Sequence, residues 1–480
     1  MDKHFLIISI GRLVQIFITL IMVRAFTSLL SASEVGNLYL INSLAMFIGL
    51  SLVNPVGMYI NRRLHQWLDE GSIFNNFFIF NLYMIFLSLL SVIIVFFLNK
   101  AAGVGSSIDL RHLMVFMMFS VFFATWNQVF IPSLNMLNHR VSFIIFTLLT
   151  LSLGLGFSIV LVKTVAHTAV IWLTGSLLAQ MLVTVFAFFY FSKVTGIRLD
   201  LKAARATMTR ENLSVVAAFC LPLGIATFFM WLQNHSYRMV IERTIGLEFL
   251  ALISLGFSIS SNIALAVESV LHQFYFPFFY RDINTYDEDK RAAAWKIMAE
   301  GTIPAYVSLT LMLSFLAPYL VNILAGDKFE GAWIYVVFGA WAELFRMSTN
   351  ILAAVAHSEM QTRYLIKSNC AGGLLAVFGV YFASKWPFFE LTIPIVLVTS
   401  WFVTTQILYG DMKKIMTTIS INRRGIGKAV LLSLPFALAV FLNRDRGQIY
   451  HSIAVSTIFV LYFVAIQLVT LRPLLKRKLP

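Results

Sequence analysis

Long apolar runs, separated by short polar or charged stretches, dominate the sequence from end to end. The runs repeatedly reach about 20 residues, the length that a helix needs to cross the hydrocarbon core of a bilayer. They lack the apolar–polar alternation of strands in a membrane barrel. The pattern predicts an all-α polytopic membrane protein of about fourteen transmembrane helices, over residues 5–28, 38–60, 74–98, 112–133, 143–163, 169–191, 213–235, 249–275, 297–325, 332–356, 365–384, 392–410, 429–442 and 452–471.

Two basic connections divide these segments into groups. The sequence predicts an N-terminal six-helix lobe, a cytoplasmic basic linker, a C-terminal six-helix lobe, and a basic loop with an extra helix pair 13–14; these cover residues 1–191, 192–212, 213–410 and 411–480.

Matching spacings in the two lobes favour an internal repeat. Arg24 stands ten residues before Glu34, and Arg238 stands ten residues before Glu248, an offset of 214 in both cases. Six-helix repeats of one orientation, with a site between them near mid-bilayer, are a known transporter plan. The spacing therefore favours a transporter.

The distribution of basic residues predicts the orientation. The formal charge is +14, from 36 Lys and Arg against 22 Asp and Glu. With the N-terminus inside, 24 of the 36 basic residues fall in inside segments and 9 in outside segments. Basic residues collect in cytoplasmic loops, so both termini are predicted to be cytoplasmic, and the charge needs no nucleic-acid partner.

Composition excludes several classes of protein. Only 12% of the residues are charged, against about 25% in soluble domains. The loops leave no room for a nucleotide-binding domain, and the phosphate-loop motif is absent. Cys220 and Cys370 both lie inside apolar runs, which argues against a disulfide framework and a cysteine metal site. We expect no metal, no cofactor and no enzymatic activity.

Arginines inside the spans are the first candidates for a binding site. A charge at the bilayer centre costs at least about 2.5 kcal/mol, so it needs a reason. Arg12 shares a helix face with Gln15 and Thr19, and a guanidinium fork suits an anionic group such as phosphate. Snorkelling to the interface is the alternative for Arg12, and it is the favoured interpretation for Arg24.

Two further clusters lie in the second lobe. Arg346 has Glu343 three residues before it and Asn350 four residues after it. They form either a self-satisfied ion pair or a substrate contact held by Glu343. Glu268 precedes His272 by four residues, and burial disfavours the charged form of a carboxylate. Glu268 is therefore either the site of a coupled proton or a paired cavity-rim carboxylate.

The predicted seventh helix holds the remaining candidates. Arg238, with His235, closes this helix near the outer face, where it either contacts phosphate or is solvated. Pro222 removes a helical hydrogen bond, and Gly224 follows two residues later. The pair is either a hinge or a static kink.

Four stretches carry a family resemblance: RAFTSLLSASEVGNLYLINSLAMF from Arg24, NMLNHR from Asn135, LAGDKFEGAW from Leu324, and Pro222 followed by Arg238 and Gly246. Together they resemble the polysaccharide transporter family, the O-antigen (Wzx-type) flippases of the multidrug/oligosaccharidyl-lipid/polysaccharide exporter superfamily. The resemblance spans the first twelve helices, and the last pair matches an extra pair in longer members. The chain departs at Tyr237, where many relatives carry an acidic residue, so any ion-coupling role of that acid does not transfer.

The resemblance implies a flippase of the bacterial inner membrane. Its substrate would be an undecaprenyl-pyrophosphate-linked oligosaccharide, an O-antigen or capsular or exopolysaccharide repeat unit, moved by alternating access with an ion gradient. The implied partners are the lipid-linked oligosaccharide and membrane lipids, with a polysaccharide polymerase and a chain-length regulator as further candidates.

Two alternatives stay open. A multidrug/cation antiporter of the same superfamily would be expected to have an acidic, aromatic cavity, whereas three arginines lie within these spans. A membrane polysaccharide polymerase or ligase would be expected to have a large outside loop, and none is predicted here.

Overall fold

The computed structural model describes residues 3–196, 200–282, 288–359, 361, 363–442 and 449–476. These residues form helices and turns and no β-strand, which confirms the predicted all-α class. Part of the predicted basic linker, residues 197–199, lies outside the described residues.

Contacts along the chain separate two units. The N-terminal unit comprises Met1–Trp231 with Ile245–Glu248, and the C-terminal unit comprises Leu232–Thr244 with Phe249–Pro480. The lobe boundaries inferred from the basic connections stay a prediction.

Helices of the N-terminal unit are α1 Lys3–Leu29, α2 Ala32–Ile48, α3 Asn54–Asp69, α4 Ile73–Ala102, α5 Leu110–Met136, α6 Arg140–Thr164, α7 Ala169–Thr195, α8 Leu201–Thr207 and α9 Arg210–Asn234, which reaches the unit boundary. A π-helical segment, Gly49–Val53, joins α2 to α3.

Helices of the C-terminal unit are α10 Tyr237–Thr244, α11 Leu247–Asp282, α12 Glu288–Leu324, α13 Trp333–Ser358, α14 Arg363–Ala383, α15 Phe389–Ile415, α16 Arg423–Ser433 and α17 Ile449–Lys476. The first residues of α11 are grouped with the N-terminal unit.

Within the described ranges, twelve helices are long and apolar enough to cross a membrane. Two predicted spans are not among them. One is α13, which carries Glu343 and Arg346 near its middle; the other is α16, which turns into a 3₁₀ segment at Leu434–Val440, where Pro435 interrupts the α-helical hydrogen bonds. Twelve such helices describe a multi-pass membrane protein.

The π segment has a local cause in the sequence. Pro55 has no N–H, so it cannot bond the carbonyl of Ser51 as an α-helix requires. The helix instead widens, and the Asn54 N–H donates to the carbonyl of Gly49 five residues earlier. Such single π turns inside α-helices are frequent at functional sites.

Neighbouring helices pack against the carbonyl groups of this segment. Tyr83 on α4 donates its hydroxyl to the Leu52 carbonyl at 2.9 Å. A Cβ at Gly224 on α9 would lie 2.9 Å from the Ser51 carbonyl oxygen, so glycine permits the close approach. The π segment is thus held by two other helices of its unit.

Small residues bring α6 and α7 together. A Cβ at Gly175 would meet the backbone of Ser158 and lie 2.7 Å from the Phe157 carbonyl carbon. The Ser158 hydroxyl donates to the Trp172 carbonyl at 2.6 Å. Small residues and interhelical hydrogen bonds are the usual means of helix association in lipid.

Glu34 connects α2 to α7. Its backbone N–H donates to the Ser31 hydroxyl, which begins α2. Its carboxylate accepts from the backbone N–H of Ala169 at 2.6 Å, at the first residue of α7. A carboxylate is favoured there because it satisfies an open N–H and faces the positive end of the helix dipole.

Candidate functional site

Three charged side chains meet inside the C-terminal unit. Arg346 donates from Nε to Glu343 Oε2 at 2.6 Å and from Nη2 to Glu268 Oε2 at 2.8 Å. The side chain of Arg346 is 15% exposed, that of Glu343 12% and that of Glu268 6%. Charge-assisted bonds of this length to both carboxylates hold the guanidinium in one orientation.

Polar neighbours complete the cluster. Asn350 donates from Nδ2 to Glu268 Oε1 at 2.8 Å. His272 Nε2 lies 3.7 Å from the same oxygen, and the Tyr306 hydroxyl lies 3.4 Å from His272 Nε2. We call Glu268, His272, Tyr306, Glu343, Arg346 and Asn350 the charge cluster. Both carboxylate oxygens of Glu268 therefore have partners.

The charge cluster carries more negative than positive charge. Two carboxylates face one guanidinium, which leaves a net charge of −1 when His272 is neutral. One proton on Glu268 or on His272 brings the net charge to zero. Burial penalises uncompensated charge, so the excess carboxylate is the unusual feature of this cluster.

Close packing of α11 and α13 positions this cluster. A Cβ at Gly256 would lie 2.7 Å from the Tyr335 carbonyl carbon, and the Ser260 hydroxyl donates to the Val336 carbonyl at 2.7 Å. From the first of these contacts to the Glu268–Arg346 bond, residue numbers increase along both α11 and α13. The two helices therefore run parallel. The glycine lets the backbones approach closely enough for the carboxylate to reach the guanidinium.

The helix α12 supports the cluster from another side. Trp295, fully buried, donates from Nε1 to the Ile351 carbonyl on α13 at 2.8 Å. Tyr306, also on α12, contacts His272. Three helices thus contribute side chains to the site.

Arg12 and Gln15 lie together on α1, in the N-terminal unit. Arg12 donates from Nη1 to Gln15 Oε1 at 2.9 Å, and its guanidinium carbon lies 5.5 Å from the centre of the Phe143 ring on α6. The Arg12 side chain is exposed, in contrast to Arg346. Arg24 is half-buried near the end of α1, and its carbonyl accepts from the Ser28 hydroxyl at 2.7 Å.

The position of Arg238 differs from the sequence interpretation. The predicted seventh helix ends at Asn234, and Arg238 lies in the first turn of the separate helix α10. It is 9% exposed, beside His235 and over the Tyr237 ring at 5.5 Å. It therefore neither closes α9 nor is solvated, because the turn at His235 and Ser236 directs it into the C-terminal unit.

Pro222 and Gly224 lie within α9, as their spacing implies. Gly224 faces the π segment, so its small size already has a packing reason. A hinge role for the pair stays a prediction.

Sequence reasoning treated Glu268 with His272, and Arg346 with Glu343, as separate candidates. The structure joins them into one cluster across α11 and α13. It also adds Tyr306, which no short spacing links to His272. The only sequence signal was that both clusters place acidic and basic groups inside apolar spans.

Comparison with solved structures places this geometry in a known fold. The lipid II flippase MurJ in an inward closed conformation matches with a TM-score of 0.66 at 13% identity, over 98% of this chain and 99% of that chain. An inward-facing multidrug resistance MATE family transporter of the MOP superfamily matches with a TM-score of 0.56 at 14% identity, over 87% and 100%. The chain has the fold of the MOP superfamily transporters.

A third MOP structure has a similar fold. It is a transporter from Pyrococcus furiosus, whose binding pocket of reverse polarity suggests a different function for that protein. Its TM-score is 0.57 at 15% identity, over 86% of this chain and 96% of that chain. No family model matches the sequence, and no curated protein matches it. The comparisons therefore establish the MOP fold.

Proposed function

We propose that this protein is a proton-driven flippase that moves an undecaprenyl-pyrophosphate-linked oligosaccharide across the bacterial inner membrane by alternating access. The observation that carries the proposal is the buried charge cluster, in which Glu268 and Glu343 share Arg346. A cluster with one excess carboxylate inside a transporter fold needs a proton to become neutral, which is the property a coupling site requires.

The substrate class rests on two supports. The matched MOP structure of nearly the same length is a lipid II flippase, and both chains are matched almost completely. The sequence stretches from Arg24 and Leu324 resemble polysaccharide transporters. Lipid-linked sugars pose the same physical problem in both cases, since pyrophosphate and hydroxyl groups must cross hydrocarbon while the lipid tail stays in the bilayer.

The contacts of Glu268 support the proposal that this residue couples transport to the proton gradient. While ionised, Glu268 accepts from both Arg346 and Asn350 and draws α11 and α13 together. Protonation removes its charge, weakens the bond to Arg346 and changes the preference between two packings of these helices. Arg12 with Gln15, Arg24 and Arg238 are the proposed cationic contacts for the pyrophosphate, and Pro222 with Gly224 the proposed hinge.

Topology and partners complete the proposal. We place both termini in the cytoplasm because of the excess of basic residues in the inside segments. The substrate, membrane lipids, a polysaccharide polymerase and a chain-length regulator are the proposed partners.

A multidrug/cation antiporter is the second candidate. The acidic charge cluster and the similarity to multidrug MOP structures favour it. Deletion of the gene separates the two functions. A flippase deletion should strand lipid-linked repeat units in the inner leaflet and remove the surface polysaccharide. Normal surface polysaccharide with altered drug tolerance would support the antiporter instead.

Replacing Glu268 by glutamine should remove gradient-driven export while exchange down a substrate gradient continues. The substitution leaves the neutral Arg346–Glu343 pair intact, so the fold should persist. The measurement is transport in proteoliposomes with and without an imposed pH gradient.

Glu343→Gln is the companion variant, because it removes the same charge from the same arginine and leaves a neutral Arg346–Glu268 pair. By the same count of charges, we expect this variant also to lose its response to the gradient. An unchanged response in Glu268→Gln would refute coupling at this carboxylate.

A further inference from the structure

The N-terminal unit contains an open cavity of about 380 Å³ between α2, the π segment, α3, α5 and α7. Its size falls within the range of about 300–1,000 Å³ that is typical of small-molecule sites. Five amide side chains line it: Asn42, Asn54, Asn61, Gln128 and Gln180. We call it the amide cavity.

The lining of the amide cavity is uncharged, and its amide and hydroxyl groups lie among apolar side chains. Its lining residues include no Asp, Glu, Lys, Arg or His. Among the residues that the structure describes, none of the five amide side chains has a hydrogen-bond partner. Asn54, Asn61 and Gln128 are exposed and Asn42 and Gln180 are half-buried, so their amide groups are open to water or to a ligand.

Depth along the helices places the cavity inside the membrane. Gln180 lies eleven residues after the start of α7 at Ala169, about 16 Å along the axis. That distance is roughly half of a hydrocarbon core about 30 Å thick. Gln180 is therefore near mid-bilayer, the depth at which transporters hold their substrates.

The π segment aligns three of the amides. Asn42 and Asn54 are twelve residues apart and would point about 120° apart on an uninterrupted α-helix. A π turn holds one extra residue, and the segment thereby takes up about 100° of that rotation. Asn61 follows seven residues later, about two α-helical turns. The three amides therefore share one face, which borders the cavity.

Two glycines keep the amide cavity open. Gly49 and Gly57 both line it, and a Cβ built on either residue would meet no atom within 4 Å. No packing contact explains these glycines. Larger side chains here would occupy the space that the amides border.

We propose that the amide cavity binds the glycan of the transported molecule, through its uncharged hydroxyl groups; the inference rests on the proposed flippase function. Each amide offers two donors and an acceptor, which matches hydroxyl groups that donate and accept together. A cationic drug would require a carboxylate and a pyrophosphate would require an arginine, and the lining has neither. Two parts of the lipid-linked substrate would thus bind at different sites: the glycan in the amide cavity and the phosphates at arginines elsewhere.

The test compares two lipid probes on the purified full-length protein. One is lipid-linked oligosaccharide extracted from the host membrane, and the other is undecaprenyl pyrophosphate without sugar. The wild type should bind the glycan-bearing lipid at least about tenfold more tightly, because several hydrogen bonds are added. The nearly isosteric double variant Gln128→Met/Gln180→Met should bind both lipids equally.

A size series provides an independent readout in cells. Gly57→Phe should fill the amide cavity and reduce surface polysaccharide at least tenfold, whereas Gly57→Ala should not. Gly156→Phe is the matched control, because Gly156 on α6 also has open space around it but lies outside the cavity. Membrane levels and melting temperatures of all variants verify folding.

The outcomes separate the two proposals. A wild type that binds neither lipid, with normal surface polysaccharide after gene deletion, overturns the flippase function and the glycan site with it. A wild type that prefers the glycan-bearing lipid, with variants that keep this preference, overturns the glycan site alone.

Discussion

Replacing Arg346 by alanine should abolish export and destabilise the protein by about 3–5 kcal/mol, the cost of leaving a buried charge without its partner. The change removes the guanidinium that bonds both Glu268 and Glu343 and leaves both buried carboxylates without it. The measurements are the thermal unfolding midpoint of the purified protein and surface polysaccharide in a deletion strain. We expect the largest loss of stability of any single substitution in the charge cluster.

Two controls separate stability from transport. Arg346→Lys keeps the charge but loses the two-pronged geometry, so stability should fall less. The double variant Arg346→Ala/Glu268→Gln leaves one carboxylate, Glu343, without its guanidinium instead of two. It should recover part of the stability while export stays absent. A single Arg346→Ala variant that unfolds and exports like the wild type would show that the charge cluster has neither role.

Replacing Gly175 by leucine should disrupt the association of α6 with α7. The side chain would start inside the space of the Ser158 backbone, where no rotamer change can relieve the overlap. The helices must separate, which also breaks the bond from the Ser158 hydroxyl to the Trp172 carbonyl. We expect a loss of about 3 kcal/mol or more, at the upper end of overpacking costs, measured as thermal unfolding in detergent.

Gly156→Leu is the matched control on α6. A Cβ at this glycine meets no atom within 4 Å, so the side chain extends into open space. Stability should be unchanged or should rise by up to about 1 kcal/mol, since leucine is the better helix former. Equal melting temperatures for the two variants would contradict the close packing of α6 on α7.

The fold class was predictable because a helix that crosses a membrane requires a long apolar run, and such runs are visible in the sequence. Pairs on one helix were also within reach: Arg12 with Gln15, and Arg346 with Glu343, follow from a three-residue spacing. The twelve candidate spans differ from the predicted fourteen at α13 and α16, where charged residues and a 3₁₀ segment reduce the apolar length.

Contacts between distant helices were not predictable from spacing. Glu268 and Arg346 are 78 residues apart, and only the parallel packing of α11 on α13 brings them together. The amide cavity was missed for the same reason, because its five amides come from four helices. The burial of Arg238 was not predicted, because the spacing around His235 does not indicate the short helix α10 that follows.

The π segment before Pro55 contains one residue more than an α-helix would need to span the same distance. Deleting Leu50 together with the substitution Pro55→Ala should therefore relax Gly49–Val53 into an ordinary α-helix without turning Asn54 away from the direction of Asn42. Such a shortened chain would keep Asn42 and Asn54 on the same side of the amide cavity. It would lose only the ability of this helix to change between π and α winding. Comparing its substrate binding with its turnover would tell whether this helix must change its winding during each transport cycle.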